Sequence, residues 1–210
     1  MIPDAMPMTR SAPALFVADA PGLDFLNSIA TPVDAPVDWI ADGDGLVDWL
    51  AQAGWVPAEV LADLRERAMP GELDRLADQA RSLRDWFAAF VRAHMGRPLA
   101  PEVLSDLEPL NRLLSRDDGF IEVTAGEGGL AFVRRRRWSS PESLLLPIGE
   151  AMARLVTGED FSHVKACEGP SCTLLFADHT RGRARRWCSM ASCGNRAKQA
   201  AHRERVKARG

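Results

Sequence analysis

Cys167–Glu168–Gly169–Pro170–Ser171–Cys172, then fifteen residues, then Cys188–Ser189–Met190–Ala191–Ser192–Cys193: these two segments hold all four cysteines of the chain. Both pairs have the spacing C-x4-C. A tetrahedral Zn²⁺ site takes four soft ligands most readily as two short-range pairs, because one tight turn holds each pair and a single longer loop closes the site. Gly169 and Pro170 lie between the first pair, where such a turn is needed. The spacing is at the wide end of the usual range. The reading is therefore a structural zinc site on Cys167, Cys172, Cys188 and Cys193. Two local disulfides or four buried thiols are the alternatives, and a disulfide needs an oxidising compartment. His163, His179 and His202 flank the cysteines, but four thiolates already fill the tetrahedron. Four thiolates also leave no open position for a catalytic water, and the chain has no Gly-rich phosphate loop, nucleophile elbow or histidine–carboxylate metal pattern. We expect no enzyme.

Charge is the second signal. Between Arg181 and Gly210 stand ten Lys and Arg and a single acid, Glu204. A folded zinc module of that charge is suited to a polyanion. The candidate nucleic-acid contacts are Arg181, Arg183, Arg185, Arg186, Asn195, Arg196, Lys198, Arg203 and Lys207. From Ala191 the composition is helical, with Arg196, Arg203 and Lys207 on one face and Lys198, His202, Arg205 and Arg209 on another. Such a helix contributes little to a core. Asn195, at its start, is either a cap or a base-reading group.

The stretch from Trp187 to Arg196 resembles the CGNR zinc finger, whose four naming residues are here Cys193, Gly194, Asn195 and Arg196. In that family the finger ends a protein whose N-terminal part is the ABATE domain, associated with stress-induced transcription regulation. Gly22–Leu23–Asp24–Phe25–Leu26–Asn27–Ser28 resembles that domain's Leu-Asp-x-x-Asn-Thr motif, with Ser in place of Thr. The resemblance covers residues 160–207 strongly and about 15–155 diffusely. It implies DNA binding by the finger. A zinc-stabilised protein- or RNA-interaction module is the alternative.

The net charge of −3 hides an asymmetry. Residues 1–133 carry ten basic and twenty-two acidic side chains, net −12; residues 134–210 carry sixteen and seven, net +9. Opposed halves suggest two modules with different tasks, or two that attract each other. With 46% hydrophobic residues the chain is ordinary globular material. No apolar run reaches the length of a membrane span, and the start of the chain lacks a signal-peptide core. We expect a cytoplasmic protein, in which thiols stay reduced and bind metal.

The expected architecture is α+β: a loose tail over 1–14, a mainly helical domain over 15–157 with one small β-hairpin, and a treble-clef-like finger over 158–210. Leu15–Val17 reads as a short strand. Pro21 and Gly22 mark a helix start, with Leu23, Phe25, Leu26 and Ile29 on one side. Asp24 and Asn27 would brace a loop or cap it. Residues 30–42 read as a Pro- and Asp-rich loop. Asp44 is expected to cap a helix ended by Gly54. Pro57 opens the next helix. Glu72 to His94 is the core helix, with apolar residues at i, i+3, i+4 and i+7. His94 is expected to be a solvated cation at its end. Pro109 should split the helix begun at Pro101. Phe120–Thr124 and Leu130–Val133 form a hairpin, and Arg134–Arg137 either extends a nucleic-acid footprint or neutralises the acidic half. Pro141–Val156 is a helix capped by Ser140 and distorted at Pro147, and Thr157–Asp160 is the linker. The helical domain would sense a small-molecule ligand or form a homodimer.

Overall fold

The computed structural model describes residues 13–31 and 35–207. Most of the expected tail, part of the Pro-rich loop and Arg209 lie outside them.

Pro21 supplies a fixed φ at the first position of α1, Pro21–Leu26. This short helix lies against α6, Leu145–Gly158, so closely that a Cβ on Gly22 would stand 2.8 Å from the Ala151 carbonyl oxygen. Only glycine permits that approach. Ile29, expected on this helix, instead begins β1, Ile29–Ala30, which pairs antiparallel with β2, Val37–Asp38. Leu15–Val17 is extended but unpaired as a strand; its path is held by Asp24 Oδ1, which accepts from the Ala18 amide at 3.0 Å.

Helix α2, Gly43–Ala53, is capped by Asp42 and not by Asp44: Asp42 Oδ1 accepts from Gly45 N at 2.9 Å. Gly54, left-handed, closes it as expected. Helix α3, Ala58–Arg67, follows Pro57. Helix α4, Glu72–His94, has the bounds that its periodicity predicts, and Leu76, Ala77, Ala80, Phe87, Phe90 and Val91 are buried along it. Its end differs from expectation. The His94 ring packs on Phe90 with centroids 4.6 Å apart and its side chain is mostly covered, so the ring is not left in solvent. The same face also buries Arg84, which forks onto Asp38 at 2.7 and 2.8 Å and donates to Ser28 Oγ. This ion pair ties α4 to β2, and its bidentate geometry is what makes burial of the charges tolerable.

Pro109 splits its segment as expected, into a 3₁₀ stretch, Pro101–Leu107, and α5, Glu108–Leu114. The hairpin is longer than the sequence suggests: β3, Gly119–Gly126, and β4, Gly129–Arg136, run in register through eight pairs. Next, 3₁₀ Pro141–Leu144 precedes α6, which places Pro147 in the first turn, where its missing N–H costs little. Ser140 makes no side-chain cap.

The expected linker Thr157–Asp160 is instead the last turn of α6 and a two-residue step into a fully buried Phe161. Strands β5, Val164–Ala166, and β6, Leu175–Ala177, form the finger's hairpin. Phe161, Val164, Leu175 and Ala177 belong to the same core as the helices. Asn27 makes the junction. Its Nδ2 donates to the Leu175 carbonyl and its Oδ1 accepts from the Leu175 amide, both at 2.9 Å. The side-chain amide thus copies a strand partner for β6. The chain ends in a π-helical turn, Met190–Gly194, and α7, Asn195–Lys207.

Asn27→Ala should leave two buried backbone groups of Leu175 unpaired and cost about 3 kcal/mol, read as a lowered denaturation midpoint. Burial above all raises the Asp24 carboxyl to about 6, against the opposing Ala18 hydrogen bond. The folded protein therefore holds this proton more tightly than the unfolded chain does. Stability from this group is present below about pH 4 and lost as pH rises through 6. Asp24→Asn keeps an Oδ1 acceptor and should flatten the loss, by up to about 3 kcal/mol, in denaturation curves at pH 4 and pH 7.

Candidate metal centre and basic helix

The four cysteine sulfurs lie within 4.8 Å of one another. Cys167 and Cys172 come from the turn between β5 and β6; Cys188 ends the following loop; Cys193 sits in the π-turn that leads into α7. The Cys172–Cys188 sulfur distance is 3.8 Å and the Cys188–Cys193 distance 3.6 Å. A tetrahedron with Zn–S bonds of about 2.3 Å has sulfurs about 3.8 Å apart. The donor set and its spacing fit Zn²⁺. Cys167, Cys188 and Cys193 are buried and Cys172 is half-buried. The histidines stand apart: His163 is near Asp160, and His179 pairs with Glu159 at 2.7 Å.

The surroundings are built for thiolates. The amides of Gly169 and Cys188 donate to Cys167 Sγ at 3.5 and 3.3 Å. Arg196 Nη2 donates to Cys193 Sγ at 3.0 Å. Hydrogen bonding from Cys188 lowers the Cys172 thiol to about 5, and the same contact pushes Cys188 up. Four sulfurs this close cannot all ionise without a cation between them, and a divalent metal removes the conflict. Gly169 lies close against the sulfurs: a Cβ there would stand 3.1 Å from Cys193 Sγ. Trp187 packs beside the cysteine cluster and covers part of it with apolar surface.

The structure sorts the nine candidate nucleic-acid residues into two groups. Arg185 points inward. It donates to the carbonyls of Val17 at 2.8 Å, Trp187 at 3.0 Å and Cys188 at 2.5 Å, pairs with Asp19 at 2.5 Å, and lies 4.3 Å over the Phe176 ring. It holds the metal loop on the N-terminal segment. Arg183 donates to the Asp178 carbonyl, and Arg196 is on the Cys193 sulfur. Arg186 forks onto Glu168 at 2.6 and 2.7 Å and stacks on Trp187. Arg181, Lys198, Arg203 and Lys207 are exposed. Asn195, also exposed, is the first residue of α7 and its Nδ2 reaches the Ala191 carbonyl at 3.4 Å.

Asp178 escaped the sequence reading. It is fully buried and accepts from Lys165 Nζ at 2.7 Å, Thr180 Oγ1 at 2.6 Å and the Arg185 amide at 2.9 Å. Burial alone would raise its carboxyl; these donors outweigh it and hold the group well below the usual range. An acid between the apolar run Leu174–Ala177 and a cationic loop was the available signal.

A family model described as "Putative stress-induced transcription regulator" (ABATE) matches residues 19–159, well over half of the chain. The chain belongs to the ABATE family. A second model, the CGNR zinc finger, matches residues 163–206. No curated protein matches the chain. Within this family member the finger's motif has a physical reading: Cys193 is one of the four sulfurs placed to hold a metal, Asn195 begins α7, and Arg196 donates to the Cys193 sulfur. Among the described residues, no helix is long and apolar enough to cross a membrane.

Two outcomes test the centre. Arg196→Ala should lower zinc affinity by about 10- to 100-fold, as for other groups that support a metal ligand, in a competition titration against a chromophoric chelator. Stripping the metal should melt α7, because a helix of about thirteen residues with no apolar face does not persist alone in water; far-ultraviolet ellipticity reports this.

Proposed function

We propose that the protein is a cytoplasmic transcription regulator in which the zinc finger binds DNA through α7. The observation that supports it most is the state of α7. Every residue from Lys198 to Lys207 is exposed, the helix buries nothing, and its start is anchored by a metal ligand. Lys198, Arg203, Arg205 and Lys207 face solvent there, with Arg181 on the preceding loop. A rigid, solvent-facing cationic helix is suited to phosphates, and arginine can also read guanine in the major groove. On this reading the metal is structural and the protein is not an enzyme.

The N-terminal domain would sense a signal or bring two copies together. A cleft of about 660 Å³ between α5, β4 and α6 is large enough for a small polar ligand; Arg134, Arg136, Trp138 and Arg154 stand in its walls together with Asp117 and Glu150, which already pair with Arg136 and Arg154. The runner-up is a zinc-stabilised protein- or RNA-interaction module. One observation favours it: Arg183, Arg185, Arg186 and Arg196 are engaged within the protein, which reduces the cations left for DNA.

Binding to a duplex, followed by fluorescence anisotropy, should weaken with salt at a slope of about −3 to −4 in log K against log salt, for roughly four neutralised phosphates. Charge reversal at Lys198, Arg203 and Lys207 together should abolish it. Retained binding in that variant, or none to any duplex at low salt, overturns the reading.

A further inference from the structure

The β3–β4 hairpin has a face that nothing in the chain covers. Ile121 pairs with Arg134, Val123 with Phe132 and Ala125 with Leu130, so these side chains share one side of the ladder. On that side Ile121 is 61%, Val123 65%, Leu130 84% and Phe132 75% exposed. Four large apolar side chains on one face of a ladder are an unusual thing to leave in water. An eight-pair, two-stranded ladder is also marginal by itself, since hairpins persist when an apolar face is packed. Both facts call for a cover.

The ends of the same ladder say what the cover is. Glu127 stands in the two-residue turn at the tip, between Gly126 and Gly129. Arg134 stands at the base, its guanidinium beside Gly119. Arg135, Arg136 and Arg137 are each paired with a carboxylate, on Glu122, Asp117 and Asp118 respectively. Among the described residues, the side chains of Glu127 and Arg134 make no hydrogen bond or close ion pair; Arg134 acts on Asp117 only through space, helping to lower that carboxyl. The hairpin therefore has an acidic tip, an apolar middle and a basic base. Such a face is complementary to itself when two copies lie antiparallel across a two-fold axis.

We propose that this hairpin is a dimerisation arm: two copies of the chain pack their Ile121, Val123, Leu130 and Phe132 faces together, each Glu127 meeting Arg134 of the other copy. The area is sufficient. Taking about 200 Å² for an exposed Phe and less for each aliphatic, the four side chains offer roughly 450 Å² per copy. Doubled by the two-fold, and with the charged ends added, the contact reaches the roughly 1,000 Å² that a specific interface needs. The arm deepens the dimerisation half of the function proposed above. Its failure is separable: a monomer that binds DNA with the expected salt slope keeps the finger's role and removes the arm.

Sedimentation equilibrium of the full-length, zinc-loaded chain over a dilution series tests the arm. The wild type should be a dimer with a dissociation constant on the order of micromolar. Phe132→Asp should be monomeric, with unchanged zinc content and unchanged helical ellipticity to show that the rest is folded. Glu127→Arg and Arg134→Glu should each weaken association by roughly 5- to 30-fold, and the double variant should regain most of it. A monomeric wild type, a dimeric Phe132→Asp, or a double variant no better than the singles overturns the proposal.

Discussion

A cation inside the protein holds the two parts of this chain together. The Arg185 guanidinium sits where the N-terminal segment, β6 and the metal loop meet, with carbonyl oxygens from Val17, Trp187 and Cys188 around it and the Phe176 ring beneath. Removing a guanidinium from water costs several kcal/mol unless its donors are satisfied. Here five donors in a planar fork meet acceptors fixed by three different stretches of backbone. The site therefore forms only when all three stretches are in place. Asn27 repeats the logic on the other side of β6 with a neutral amide. The finger is consequently seated on the helical domain and shares its core; it does not hang from a tether.

The metal works on a smaller scale. Its four sulfurs gather chain segments that have little apolar surface of their own, and it turns the first turn of α7 into a fixed point. The chain then uses its cations in two ways. Of those nearest the sulfurs and the seam, Arg185 and Arg196 are structural, while Arg183 and Arg186 make their contacts at the surface. Those further along α7 remain in solvent. The acidic and basic halves do meet, through Arg136 with Asp117 and through Arg185 with Asp19. The duller reading of the Arg134–Arg137 run therefore accounts for three of its four residues. Arg134 is the exception, and it lies on the face of the hairpin that is most in need of a partner.

What could be read in advance followed from local rules. The spacing of the cysteines identified the metal centre. The 3.6-residue period of Glu72–His94 marked out α4 to the residue, and Pro109 split its segment because the ring cannot sit inside a helix. The misreadings have local causes as well. Asp42 and Asp44 are equally good caps by type, and backbone geometry chooses between them. Arg84 occupies a core position of α4, between Ala80 and Phe87, and was passed over because its partner Asp38 is far away in sequence.

The sequence alone determined the ligand set, the helical character of the N-terminal part and the sign of each half's charge, since these depend on residue type and on separations of a few positions. Only the tertiary structure decided which arginines are spent inside, that the finger and helices share a core, and that one face of the β3–β4 hairpin is left bare. The shared core and the seat of Arg185 turn on contacts between residues more than a hundred positions apart, and composition gives no measure of which carbonyl, carboxylate or ring a side chain will meet.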